Sequence, residues 1–360
     1  MRVMGNLRWT AALTALLWCA PSLAQTGAPP SLDNRGDSAE ALRRRGTRWA
    51  DSQLQVGLSA NVDFFDSSYR AGSRSLAALD LSLALRPRFR VSDTLQLRFA
   101  WSVALELTDS EVTRTQREPV VDDPSLELWF LGTPPVGALR FSFGAGVVAP
   151  VSDASRALTT ILTLTAAARA SWGADLAAGR FTAVATLGYA HVFSDYTTPG
   201  VRGSIPYARL TVGGGDSGQL RGSTNVHDEL AWRVTVTQTW GRWSPGASFG
   251  MWHQWAYGVS APGSSSVGVD GSGTRDYSNF TAWLDLSASS WLTFELGYTL
   301  SRALKDADGT LGNPFYSTFH DWRVYLVANF ELDRLVEAAQ GRGEGLGRIL
   351  RASASTRRAP

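Results

Sequence analysis

Between Leu230 and Tyr257 the chain alternates between apolar and polar positions. Leu230, Trp232, Val234, Val236 and Trp240 share one parity, and Ala231, Arg233, Thr235, Thr237 and Thr239 share the other, with Gln238 the one polar break in the apolar row. Successive side chains of a strand point to opposite faces, so this period predicts a strand with one apolar and one polar face. Gly241-Arg242 is a two-residue turn, after which Trp243, Ala247, Phe249, Met251 and Trp255 continue the apolar face. Pro245 has no N–H to give a ladder, so regular pairing is expected to begin just after it. The apolar face is long and has tryptophans at both ends, which suits a bilayer better than the core of a sandwich.

The same alternation predicts further strands at 53–64, 79–89, 95–107, 126–131, 139–149, 158–172 and 181–193. Three more follow the central hairpin, at 280–288, 292–300 and 322–330. Twelve strands is the resulting reading. The connections after even-numbered strands are short, at Ser92, Pro135, Gly173–Gly179, Gly241 and Ser289, whereas those after odd-numbered strands are mostly long. The link at Val151–Ala157 is the exception. Two systematic loop classes are a property of membrane barrels, with short periplasmic turns and longer outside loops. A soluble propeller or large sandwich would also alternate, but needs no such asymmetry. The fold class expected is all-β: a transmembrane antiparallel up-and-down β-barrel of about twelve strands.

The ends of the chain complete this organisation. Arg2 and Arg8, the apolar run Trp9–Leu17 and the small-residue site Ser22-Leu23-Ala24 follow the grammar of a cleaved signal peptide over 1–24. Its apolar core is too short to span a membrane, and Trp18 before Cys19 argues against a lipoprotein. Residues 25–52 read as a flexible periplasmic lead-in, with a short helix around Ala39–Arg45, 53–332 as the barrel, and 333–360 as a periplasmic tail. The tail is expected to be loose, a short amphipathic helix being the alternative.

Composition removes several functional classes. Cys19 is the only cysteine, so the mature chain has neither a disulfide framework nor a thiolate metal site. The formal charge of +2 is accounted for by Arg2 and Arg8, and no large basic surface for nucleic acid is implied. No cofactor is called for. By parity the inward face collects Asp63, Asp80, Arg86, Arg88, Arg98, Glu106, Glu127, Arg140, Arg169, Glu229, Arg233, Asp285, Glu295 and Arg323. These charges either line a water-filled pore and set its selectivity or pair across a narrow barrel and close it. His191, His227, His253 and His320 fall near the outside ends of strands, with His191 and His253 outward and His227 inward by parity. No ligand spacing repeats among them, and neither a nucleophile elbow nor an HExxH motif is present.

The chain from Gln53 to Phe330 therefore resembles Gram-negative outer-membrane β-barrels of the porin or channel type, through its signal, alternating strands, loop asymmetry and aromatic-ended last strand. The resemblance implies passive movement of small solutes or ions, contact with outer-membrane lipid, and insertion by the outer-membrane assembly machinery. It supplies no family motif, so no catalytic, cofactor or metal residue is carried over. The rival readings are a closed structural or adhesive barrel acting through the outside loops 194–225 and 258–278, and an outer-membrane hydrolase (lipase or protease) using a serine with His191 or His253 as base.

Overall fold

The computed structural model describes residues 48–61, 78–108, 119–133, 135–136, 138–197, 224–257, 273–304, 311–315 and 322–339. Twelve antiparallel strands close into a barrel among these residues. They are β1 (Gln53–Asn61), β2 (Leu79–Arg86, continued past Pro87 as Arg88–Arg90), β3 (Leu95–Glu106), β4 (Ser125–Phe130), β5 (Leu139–Val148) and β6 (Thr160–Leu176). After them come β7 (Gly179–Ser194), β8 (Val226–Thr239), β9 (Trp243–Ala256), β10 (Thr274–Ser287), β11 (Leu292–Ala303) and β12 (Trp322–Glu331). A short stretch, Pro119–Val121, also pairs with β3. Each strand pairs with its neighbours in sequence, and β1 pairs with both β2 and β12, which removes the sheet edges.

The faces are inverted relative to a soluble protein. Leu81, Leu83, Leu126, Leu128, Phe143, Leu164, Leu284, Leu296 and Leu326 are exposed on the outside, while Gln55, Gln96, Glu106, Thr235, Ser248, Thr281, Glu295 and Asn329 are buried within. Such a surface is disfavoured in water and favoured in hydrocarbon, so the barrel is built for a bilayer. Trp172, Trp240 and Trp243 stand exposed at the short-turn end, where Trp172 packs edge-on against Phe181 at 5.8 Å. Amphipathic rings at this level match a membrane interface.

Closure is reinforced from within. Gln55 Nε2 donates to Asn329 Oδ1 (2.7 Å) across the β1–β12 seam. Arg323 on β12 reaches over β1 to Asp80 on β2 at 2.6 Å. Inward aromatic rings lie flat on the wall, each over a glycine directly opposite: Trp129 on Gly144, Trp283 on Gly246, Tyr325 on Gly297. A Cβ at Gly246 would fall 2.4 Å from Trp283, so the glycine is required by space.

The expected strand series matches the observed one, and the differences lie at the ends of elements. The turn expected over 173–179 is confined to 177–178, because the β6–β7 ladder runs on to Leu176↔Gly179. Gly179 has φ +116° and lies so close to the Thr239 carbonyl that no side chain fits. The Gly241-Arg242 turn is as expected, with Gly241 at φ +57° suiting the first central position of a type II′ turn. Pro245 lies within β9, opposite Leu284 on β10, and the β8–β9 ladder begins beyond it at Thr237↔Gly246. The strands β8 and β10 begin earlier than expected, at Val226 and Thr274, because their polar first residues are held by neighbours already in register.

The link after β5 contains a short helix, α1 (Asp153–Ala157), that was not expected. Its N-cap Ser152 accepts from the Ser155 N–H (3.1 Å), and its own N–H donates to Asp123 (2.6 Å). Where a loose tail was expected, helix α2 (Leu332–Ala339) follows β12, and the Arg334 guanidinium donates to the Ser290 carbonyl (2.7 Å). The candidate helix at 39–45 and the signal segment lie outside the described residues.

Replacing Leu296 (55% exposed, on the outer face of β11) with arginine tests the inverted polarity. In a bilayer the barrel should lose about 2–4 kcal/mol of stability, whereas an arginine at an exposed site in water costs little. Urea titration of the barrel folded into lipid vesicles measures the difference.

Candidate functional site

The predicted lumen residues Asp80, Arg86, Arg88, Arg98, Glu106, Arg140, Arg233, Asp285, Glu295 and Arg323 all fall on the strand parity opposite the exposed leucines. Asp63 lies outside the described residues. The inward face has two unlike halves. Along β9–β12 and β1 it is packed. Glu295 and Tyr325 are each 1% exposed, and the tyrosine hydroxyl donates to the Glu295 carboxylate (2.8 Å). Asp285 stands directly across from Glu295. Gln254 donates to Glu229 (2.7 Å), Trp252 stacks on Tyr277 at 5.2 Å, and Asn279 donates to the Leu300 carbonyl (3.2 Å). These contacts offset much of the cost of enclosing polar groups in low dielectric.

Along β2–β8 the inward face is smaller and more basic. Ala84, Ala100, Ser142, Gly144, Ala167, Thr186 and Gly188 leave room, and the half-buried side chains of Arg86, Arg140, Arg169 and Arg233 project among them. Within this half, Arg88 on β2 and Arg98 on β3 are opposite one another in register, and both are buried. The Arg98 guanidinium carbon lies 4.5 Å and that of Arg169 5.1 Å from the centroid of the same indole, Trp129. Trp129 is tethered by its Nε1, which donates to Glu127 (2.7 Å), and lies against Gly144. Arg98 Nε donates to Gln96 (2.8 Å). Cation–π contact thus holds two arginines on one plate.

Sequence parity placed the charges but not their organiser. Trp129 reads in isolation as part of an aromatic strand end. The signal that finds it is its parity: it falls between the outward Leu128 and Phe130 and faces a glycine on the next strand.

The rim histidines follow a different logic. A bulge between Val226 and Asp228 shifts the register of β8. His227, expected to face inward, bonds through Nδ1 to Asp228 (2.6 Å), the carboxylate that also holds His191 Nδ1 (2.7 Å) and the Tyr189 hydroxyl. His253 Nδ1 bonds in the same way to Asp276. His320 lies outside the described residues. Among the described residues no three His, Cys, Asp or Glu side chains are grouped to hold a metal, and no serine hydroxyl is bonded to these imidazoles. Each pair supplies the base and orienter of a hydrolytic triad without its nucleophile.

Neither a family model nor a curated protein matches the chain. Among solved structures it is similar to an outer membrane channel from Pseudomonas putida F1, at 11% identity and a TM-score of 0.43, covering 79% of this chain and 98% of that one. It is similar to the NanC porin, at 8% identity and a TM-score of 0.41, covering 78% and 98%. It is also similar to outer membrane phospholipase A from Escherichia coli, at 10% identity and a TM-score of 0.36, covering 79% and 93%. Channels and a phospholipase appear alike, so the likeness does not choose between transport and hydrolysis.

Gly144→Ala places a Cβ 2.6 Å from the Trp129 ring, and the indole must leave the wall. The expected cost is about 1–3 kcal/mol of barrel stability, as for other overpacked sites. A changed near-ultraviolet circular dichroism signal and a lower unfolding midpoint in urea would show it; an unchanged midpoint would mean that the ring does not depend on this glycine.

Proposed function

We propose that this protein is a narrow outer-membrane channel that passes small solutes and prefers anions. The observation that carries the reading is Arg233. Its guanidinium projects from the middle of β8 into the enclosed half of the barrel, between Thr186 and Gly250, and among the described residues no carboxylate is bonded to it. An arginine sealed in a dry interior without a counter-charge costs several kcal/mol. Its position between small residues, with part of its surface open, fits a lumen that holds water along the β2–β8 side.

The basic excess on that wall supports the choice of anions. Arg86, Arg88, Arg98, Arg140, Arg169 and Arg233 project there, against the acids Asp80, Glu106 and Glu127 of β2–β4, of which Asp80 is paired with Arg323, and Glu229 at the margin. Rings of one charge in a confined pore raise the local concentration of the opposite ion. The wall opposite is filled by Tyr325, Trp252, Trp283 and their partners, so the conduit is narrow, and small solutes are the ones it suits.

Orientation follows from the two loop classes. The first and last described segments attach at the short-turn mouth: Arg90 N–H donates to the Arg48 carbonyl (2.7 Å), and Leu332 N–H to the Ser52 carbonyl (2.8 Å). Short turns face the periplasm in outer-membrane barrels, which supports a periplasmic location for both ends. The reading as an adhesive barrel rests on loops that lie largely outside the described residues.

Single-channel recording of the refolded chain in a planar bilayer tests the proposal. Discrete current steps are expected, with a reversal potential on the anion side under a salt gradient. Arg233→Glu should move that potential toward the cation side. Silence from protein shown to be folded and inserted would overturn the open conduit.

A further inference from the structure

We propose that α2 is a membrane foot, whose apolar edge rests in the headgroup–acyl boundary of the phospholipid leaflet at the short-turn mouth. This contact is independent of conduction. Aromatic side chains mark the level at which the helix leaves the barrel. At the short-turn mouth Trp172 meets Phe181, Trp291 stacks on Phe330 at 6.2 Å, and Trp49 meets Phe89 at 4.9 Å, while Trp240 and Trp243 stand exposed. Tryptophans spaced around one end of a barrel mark a membrane interface. The helix starts between two of them. The Glu331 N–H donates to the Trp291 carbonyl (2.9 Å), and the Leu332 N–H to the carbonyl of Ser52 (2.8 Å), whose own N–H donates to the Trp49 carbonyl (3.3 Å).

The sequence of α2 suits a helix that lies along a surface. Leu332, Leu335, Val336 and Ala339 follow the i, i+3, i+4, i+7 spacing of one apolar stripe, with Asp333, Arg334 and Glu337 off it. Two anchors fix how the helix is turned. The Arg334 guanidinium donates to the Ser290 carbonyl in the β10–β11 turn (2.7 Å) and lies 2.7 Å from the Glu331 carboxylate, and Ala338, one turn further on, is buried. Arg334 and Ala338 thus mark the side held against the barrel. Two residues advance a helix by about 200°, so Val336 points nearly opposite Arg334. Val336 is 53% exposed.

The bilayer is the surface within reach of that edge. On β12 the lipid-facing row runs through Leu326 to Phe330, opposite Leu58 and Leu54 of β1, and Leu332 is the next residue of the same parity. The apolar stripe of α2 therefore continues the row that already meets hydrocarbon. An apolar edge beside a lipid surface gains free energy by entering it, while the charged face stays in water. A foot at the end of the closing strand also fixes the depth at which the β1–β12 seam sits in the bilayer.

A fluorophore that reports polarity tests the contact. In the full chain, with Cys19, the single cysteine, changed to serine, Val336→Cys or Glu337→Cys is labelled with a nitrobenzoxadiazole group. Each labelled chain is folded into phosphatidylcholine vesicles and checked by its heat-dependent migration on gels. The probe at position 336 should emit at shorter wavelength than at 337 and be quenched by lipids spin-labelled high on the acyl chain. Iodide in the buffer should quench the probe at 337 several-fold more strongly. Leu335→Cys, on the same stripe, repeats the measurement if Val336→Cys does not fold. Water-like emission at 336, or equal iodide quenching at both positions, would overturn the foot. Short-wavelength emission that labelled lipids do not quench would place this edge against protein and overturn it equally. The channel reading stands or falls separately, by its current.

Discussion

Every backbone N–H and C=O of a strand surrounded by hydrocarbon must find its partner within the protein, and the rest of this structure depends on that requirement. The meeting of β1 with β12 satisfies it, pairing Gln53 with Glu331 through to Asn61 with Arg323. Once the sheet is closed, each strand has one face toward lipid and one toward the lumen. The leucines and phenylalanines then have only one favourable side, and the glutamines, acids and arginines the other. Polar bonds at the seam, Gln55–Asn329 and Arg323–Asp80, lie on the lumen side, where they do not conflict with the lipid-facing row.

A closed wall of this size also creates a problem of filling. On the β9–β12 side the solution is aromatic: rings are laid on glycines, and acids are bonded to a tyrosine or an amide. Such buried polar networks contribute little net stability against an apolar alternative, but they pin the arrangement of groups that would otherwise have many. On the β2–β8 side many inward residues are small, and the long ones are mostly arginines with Glu106, Glu127 and Glu229 among them. Trp129 stands at the boundary, bonded to an acid and carrying two cations.

Much of the strand series could be read from alternation, because a lipid-facing row tolerates few polar interruptions and so leaves a clear period of two. The reading failed where that force is weak. At the outer ends of β8 and β10, Asp228 and Asp276 bond to histidines rather than facing hydrocarbon, and the strands ran past the apparent end of the pattern. At Gly173 the glycine signalled a turn, yet the ladder continued to Gly179, since neighbouring strands supply partners whatever the local propensity. The helix at Asp153–Ala157 depends on Asp123, distant in sequence, for its first N–H groups.

The sequence by itself determined the class of fold, the number of strands, the parity of nearly every inward charge and the sides on which short and long connections fall. All of these follow from local periodicity and turn chemistry, which act between residues close in the chain. Only the tertiary structure decided which inward charges meet. Arg323 finds Asp80 across an intervening strand, and Arg98 and Arg169 gather at one tryptophan, because strand register and barrel closure bring together residues that parity alone leaves unordered. The same holds for His227, which shares the Asp228 carboxylate with His191 of the neighbouring strand. Register is a property of pairs of strands, and no single strand carries it.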